Sequence, residues 1–116
     1  YLRLADDAHR AASTLMAAVR ETPGLAVRGD PDATVLAFGG DPNDGRIDAF
    51  ALGDGLADRG GWFFDRQSRP DSLHATVQAG HLAVVDQLCS DLAVVTDELL
   101  RSGRRAEDRA TTYGTA

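Results

Sequence analysis

The stretch between Gly60 and His81 holds the side chains with the greatest capacity for chemistry. It contains the only tryptophan of the chain, and it brings Arg66, Gln67 and His74 close together in sequence. An arginine guanidinium suits carboxylate or phosphate groups, and a histidine can move protons near neutral pH. One interpretation therefore places Arg66, Gln67 and His74 in a cleft made with another domain. The alternative is two core strands joined by a polar turn, with His74 as a surface histidine.

Two kinds of metal site do not match the spacing of the candidate ligands. Loop 40–48 has a superficial likeness to a calcium loop, but Gly40 and Ala51 stand where the first and twelfth ligands should be acidic. His81 and Cys89 lie on one predicted helix, about 12 Å apart along its axis, so they cannot share a zinc ion without help. We therefore expect no metal site in this chain.

Nucleophilic and phosphate-cradling motifs are also missing from the sequence. Ser68 and Ser72 lie near His74, but neighbours in sequence do not make a triad, and no G-x-S-x-G elbow is present. No glycine pattern follows a strand and opens a helix, as a phosphate-binding loop requires. The sequence predicts neither a serine hydrolase nor a nucleotide-binding loop.

The composition restricts the function further. All 12 basic residues are arginine, so chemistry that needs a lysine amine, such as a Schiff base, cannot come from this chain. The net charge of −6 and the scattered arginines argue against nucleic acid as a partner. The single cysteine, Cys89, cannot form an internal disulfide. Because no transmembrane run or signal peptide is visible, we expect a cytoplasmic protein without a membrane segment.

The hydrophobic pattern predicts an α+β domain with the element order α-β-β-α-β-β-α. Short links between neighbouring strands favour a mostly antiparallel sheet, covered by helices. We expect residues 1–103 to form one domain and residues 104–116 to be a mobile tail. The predicted elements are a helix over 3–22, strands at 25–29 and 33–39, a helix from Asp48 to the glycine pair at 60–61, strands at 62–67 and 73–77, and a helix over 81–102.

The predicted core combines the apolar stripes of the helices with the buried faces of the strands. Its members are Leu15, Met16, Val19, Val27, Val35, Phe38, Leu56, Trp62, Phe64, Leu88, Leu92 and Val95.

Several short motifs occur in the same order as in a known family. Together they cover roughly residues 1–100, and they resemble the C-terminal small domain of sphingosine-1-phosphate lyases. The broader family is the group II pyridoxal-phosphate (PLP) dependent decarboxylases of the aspartate aminotransferase fold. The motifs are Gly24-Leu25 with Gly29-x-Pro31, Ile47-Asp48-Ala49-Phe50-Ala51-Leu52, Gly61-Trp62, Pro70-x-Ser72-Leu73-His74 and the later His81.

The resemblance implies a part of an enzyme rather than a whole one. In that family a large domain holds PLP and its Schiff-base lysine, the C-terminal domain packs over the active-site cleft, and the enzymes are obligate dimers. This chain would then close the cleft and support the homodimer, hold no catalytic residue, and be inactive alone. Gly60-Gly61 and the arginine-rich turn at 66–69 depart from typical members. The substrate therefore stays open among a sphingoid phosphate, an amino acid and a related amine.

A second interpretation comes from a different class of protein. The same element order suits a free-standing, non-catalytic module that binds a ligand or forms a dimer.

Overall fold

A computed structural model describes residues 2–32 and 34–112, and within these ranges the helices and strands follow the order that the hydrophobic pattern predicts. A short 3₁₀ helix before the last α-helix is an addition to that order. The elements are α1 (Leu2–Glu21), β1 (Leu25–Asp32), β2 (Val35–Gly40), α2 (Ala49–Gly60), β3 (Asp65–Gln67), β4 (Ser72–Thr76), the 3₁₀ helix (Ala79–Ala83) and α3 (Val85–Ser102).

The four strands of the described chain form one sheet in the order β1-β2-β4-β3, and every neighbouring pair is antiparallel. Phe38 is the partner of Val27 on one side and of Leu73 on the other. Because cross-strand partners share a face, these three side chains form one row that faces the helices. The predicted α+β fold with a mostly antiparallel sheet is therefore confirmed.

The core lies between this row and the three α-helices. Helix α1 contributes Leu15 and Val19, and α3 contributes Leu92 and Val95, all of them buried at the three- and four-residue steps of one helical stripe. Most of the predicted core is confirmed. The confirmed members are either buried or are partly buried side chains that pack against the buried ones. These are Leu15, Met16, Val19, Val27, Phe38, Leu56, Trp62, Phe64, Leu88, Leu92 and Val95.

Val35 is the one member of the predicted core that the structure contradicts. Its side chain is 47% exposed. Successive side chains of a strand point to opposite faces, and in β2 Leu36 and Phe38 are the two that turn toward the helices. Val35 therefore lies on the other face of the sheet.

The predicted strand over 62–67 is shorter than expected, since only Asp65–Gln67 pairs with β4. Trp62 is held by α2 and α3 instead of by the sheet. Its backbone N–H donates to the Leu56 carbonyl at 3.3 Å, and its indole N–H donates to Asp91 at 2.8 Å. The prediction that Trp62 and Phe63 point in opposite directions is nevertheless correct, because Trp62 packs against the core while Phe63 is 84% exposed.

Helix α2 begins and ends as its sequence predicts. Asp48 is the N-cap, and its carboxylate accepts the backbone N–H of Phe50 at 3.1 Å. Gly61 ends the helix with φ +72°, a conformation that favours glycine, and its N–H donates to the Ala57 carbonyl.

The predicted last helix is divided in two. The 3₁₀ helix stands before α3, and the backbone N–H of Gln78 donates to Nδ1 of His81 at 2.9 Å, which caps this short helix. None of the helices in the described part of the chain has the length and apolar character needed to cross a bilayer.

Residues 104–112, placed in a mobile tail by the sequence pattern, lie against the domain without forming a helix or strand. Ala106 is buried, and its N–H donates to Asp48 at 2.8 Å. Thr112 is bonded to the edge strand β3, because its N–H donates to the Arg66 carbonyl and its hydroxyl accepts the Arg66 N–H. This segment therefore connects the start of α2 with β3. The rest of the predicted tail, 113–116, lies outside the described residues.

Candidate functional site on the outer face of the sheet

His74 lies on the face of the sheet that turns away from the core row. Along the sheet it belongs to a second row, Arg28–Ala37–His74–Asp65, which is set by the pairing of four neighbouring strands. We call the face that carries this row the outer face. Since neighbouring strands lie about 4.8 Å apart, the Cα atoms of Arg28 and His74 are about 10 Å apart, with only the small Ala37 between them.

The imidazole of His74 is held by a neighbour on its own strand. Nε2 lies 2.9 Å from the hydroxyl oxygen of Ser72, and the Ser72 side chain is buried. A serine hydroxyl can donate or accept a hydrogen bond, so this contact is compatible with both the neutral and the charged imidazole. His74 is half-buried. It therefore has a defined position and keeps a side that a ligand could reach.

A cavity of about 270 Å³ opens beside His74, between the end of β4, α1 and the 3₁₀ helix. Polar groups of His74, His81 and Asp65 line it together with the aromatic rings of Trp62 and Phe63, and its remaining walls include apolar side chains of α1 and α3. Nδ1 of His81 accepts the Gln78 N–H, which leaves Nε2 of His81 for a donor or acceptor role. The cavity is slightly smaller than typical small-molecule pockets of about 300–1,000 Å³, so it fits part of a ligand better than a whole one.

Gln67 shares the outer face with His74, while Arg66 does not. Gln67 is the partner of Ser72, and Arg66 is the partner of the buried Leu73. Arg66 therefore points toward α2, where its guanidinium forms an ion pair with Asp54 at 2.8 Å. The structure thus groups Gln67 with His74 and places Arg66 on the opposite side of β3.

Two buried carboxylates have perturbed pKa values: Asp48, which the sequence indicated only as the cap of α2, and Asp91, which the sequence pattern did not single out. Burial acts to raise the pKa of Asp48, but hydrogen bonds from Arg109 and from the backbone N–H groups of Ala106 and Phe50 outweigh it, so this pKa lies below its ordinary value. Arg109 also forms an ion pair with Asp71. A side-chain cluster therefore joins residues 104–112 to the start of α2 and to the turn before β4.

Asp91 organises the second cluster, on α3. Its pKa is lowered first by the hydrogen bond from the Trp62 indole and then by those from Gln87 and Arg59, against the effect of burial. The only signal in the sequence was an acidic residue beside Leu92 on the apolar stripe of α3. The Asp91 cluster holds Trp62, whose ring lines the cavity beside His74, whereas Asp48, Asp71 and Arg109 do not line that cavity. Among the described residues, no group of three His, Cys, Asp or Glu side chains is placed to hold a metal ion.

The sequence of the chain is similar to a segment of known enzymes. No known family profile matches the chain. It is 34% identical over 99 residues to a sphingosine-1-phosphate lyase of Oryza sativa subsp. japonica, covering 84% of this chain and 17% of that protein. It is 34% identical over 92 residues to a sphingosine-1-phosphate lyase of Arabidopsis thaliana, covering 79% of this chain and 16% of that protein.

A solved structure agrees with these sequence matches. The sphingosine-1-phosphate lyase of Burkholderia pseudomallei K96243 superposes with a TM-score of 0.73 and 27% identity, over 84% of this chain and 21% of that chain. The resemblance indicated by the motifs is therefore confirmed. The chain is similar to a limited segment of these enzymes, about a fifth of their length or less.

Proposed function

We propose that this chain, which resembles a segment of the sphingosine-1-phosphate lyases, is the C-terminal small domain of a PLP-dependent carbon–carbon lyase. The observation that carries the proposal is how much of each protein the sequence match covers. The similarity extends over 84% of this chain but only 17% of the rice relative, so the match is to a small part of a longer protein. The single compact core of the chain agrees with a domain of this kind.

The cofactor belongs to the remainder of such an enzyme. PLP supplies an electron sink for the bond that breaks, and it is anchored through a lysine amine. This chain contains no lysine, so its own residues do not provide that anchor. Catalysis at the cofactor is therefore assigned to a large domain, and the chain alone is expected to be inactive.

The outer face is the part of this domain that we assign to the cleft. His74 and Gln67 lie on it, the small side chain of Ala37 leaves room above it, and the cavity with His81 opens at its edge. In that position the imidazole of His74 would orient the substrate and the domain would exclude water from the reacting bond. Arg66 would support this face from behind, through its ion pair with Asp54.

We further propose a cytoplasmic homodimer in which this domain contributes to the subunit contact. The proteins that it matches are named for sphingosine 1-phosphate, and an amine substrate of that general class is the one that we propose here.

The decisive experiment is the intact mass of the native polypeptide, measured together with its visible absorbance. We expect a chain much longer than these 116 residues, with the absorbance of bound PLP. A native chain of about this length without the cofactor would refute the proposal. It would instead support a free-standing module that binds a ligand or forms a dimer.

A further inference from the structure

A second cavity, separate from the one beside His74, lies where β1 and the loop after β2 meet the segment 104–112. Its volume is about 540 Å³. Three arginines, one from β1 and two from residues 104–112, line it with three aspartates. The charged residues are Arg28, Arg105, Arg109, Asp41, Asp48 and Asp71.

The three arginines differ in their partners. Arg109 is paired with both Asp48 and Asp71, and Arg105 donates to the backbone carbonyl of Gly45 at 3.0 Å. Arg28 forms no ion pair with any described residue, and its Nε is shielded from solvent without a hydrogen-bond acceptor. A buried donor of a charged group that lacks an acceptor is costly, and such groups in folded proteins nearly always have one.

The carboxylates of the cavity form their described hydrogen bonds with groups other than Arg28. Asp48 and Asp71 both accept from Arg109, and Asp41 accepts the backbone N–H of Asn43 at 2.9 Å. None of them pairs with Arg28, so no described residue accepts a hydrogen bond from its Nε. A guanidinium presents Nε and a terminal nitrogen as a fork, which matches two oxygens of a carboxylate or a phosphate.

The side chain of Arg28 passes close to Gly39, beside the wall of the cavity. A Cβ at Gly39 would lie 3.7 Å from Nε of Arg28, 3.2 Å from the carbonyl oxygen of Asp71 and 3.1 Å from the Cβ of Ala49. A side chain at position 39 would therefore press on Ala49 and Asp71 in the wall of the cavity, while its contact with Arg28 would be an ordinary one. Arg105 adds a second positive charge without a carboxylate partner among the described residues.

We propose that this cavity binds an oxyanion, a carboxylate or a phosphate group, through the guanidinium of Arg28. The site requires only residues of this chain, so the inference goes beyond the proposed function and does not depend on it.

The test is a titration of the native polypeptide with inorganic phosphate and, separately, with acetate, at constant ionic strength. Binding is followed by the shift in melting temperature. We expect saturable stabilisation of the wild type and at least a tenfold weaker affinity in Arg28→Gln. Arg28→Lys keeps the charge without the fork and should bind with intermediate affinity. Arg20→Gln removes an exposed arginine of α1 that does not line the cavity, and it should bind like the wild type.

The two anions distinguish the sources of the ligand group. Stronger binding of phosphate indicates a phosphate-bearing ligand, and stronger binding of acetate indicates a carboxylate. Without added anion, Arg28→Met should be at least as stable as the wild type, because methionine places an apolar group where the unpaired buried Nε lies. The proposal is overturned if neither anion stabilises the wild type, if Arg28→Gln binds as tightly as the wild type, or if Arg28→Met melts well below the wild type without anion.

Discussion

Asp48 offers the sharpest test of how this domain is held together. Its side chain is 3% exposed. The carboxylate caps α2 through the Phe50 N–H at 3.1 Å, accepts the Ala106 N–H at 2.8 Å and pairs with Arg109. Replacing it with alanine removes all three interactions in one step. The start of α2 and the segment 104–112 should therefore loosen together.

The magnitude of the Asp48→Ala effect follows from these contacts. Loss of an N-cap costs about 0.5–2 kcal/mol, and a buried N–H left without an acceptor costs about 1–3 kcal/mol. Arg109 is 44% exposed, so water compensates much of its lost ion pair. Because such contributions overlap, we expect a loss of about 2–4 kcal/mol in the free energy of unfolding. In a domain of this size, that corresponds to a melting temperature lower by about 8–16 °C.

Asp48→Asn separates the charge from the cap. Asparagine is an equally good N-cap, so this variant should keep the capping bond and lose only the stabilisation that depends on the negative charge. Its cost should therefore fall clearly below that of Asp48→Ala. Asp97→Asn is the matched control, because it breaks an exposed ion pair with Arg101 and should leave the unfolding midpoint unchanged.

The pH dependence gives a second readout. The folded pKa of Asp48 lies below its ordinary value. The charged carboxylate therefore contributes stability above the unfolded pKa of about 3.9, and this contribution is lost as the pH falls through the folded pKa. The difference in stability between the wild type and Asp48→Asn should be full at pH 7 and shrink in acid.

Urea denaturation followed by circular dichroism at several pH values measures both quantities. A loss below about 0.5 kcal/mol for Asp48→Ala, the level of an ordinary surface substitution, would contradict the assigned contacts. If the difference in unfolding free energy between the wild type and Asp48→Asn stays constant from pH 7 to pH 3, the assigned role of the charge is contradicted.

Three further predictions test the core and the outer face. Leu92→Ala should cost about 2–5 kcal/mol of unfolding free energy, because the side chain is fully buried, and urea denaturation checks this. On strand β2, Phe38→Ala should cost about 3–5 kcal/mol while Val35→Ala costs under about 0.5 kcal/mol, since the two side chains lie on opposite faces; equal losses would reject the assigned register. In the native enzyme, His74→Ala should lower turnover roughly 10–100-fold while the enzyme stays folded; unchanged kinetics, or an equal loss in the exposed Asp97→Asn control on α3, would remove His74 from the cleft.

Much of the local structure was predictable because it depends on neighbours in sequence. The helical stripes of α1 and α3 predicted which faces are buried, and Asp48 and Gly61 predicted the ends of α2. The error at Val35 came from counting apolar residues without applying the two-residue period of the strand. Strand β3 was predicted too long because aromatic residues favour strands, and the residues at 62–64 were therefore included. The indole N–H of Trp62 instead donates a hydrogen bond to Asp91 on α3.

The candidate site was only partly accessible to the same reasoning. Arg66, Gln67 and His74 are close in sequence, but the pairing of β3 with β4 sends Arg66 to the face opposite His74. The row that joins His74 to Arg28 depends on pairing between strands that are far apart in the chain. No periodicity within either strand contains that information.

The sequence by itself determined the class of fold, the order of its elements, the likeness to sphingosine-1-phosphate lyases and the absence of a lysine for PLP. These follow from hydrophobic period, capping residues, motif order and composition, all of which are local or additive. Only the tertiary structure decided that Arg109 reaches back to Asp48 and Asp71, and that Arg28 lines a cavity in which no described residue accepts from its Nε. The physical reason is that burial and hydrogen-bond pairing are properties of groups brought together in space. A side chain's partners are therefore set by the packing of distant segments, whatever its neighbours in sequence are.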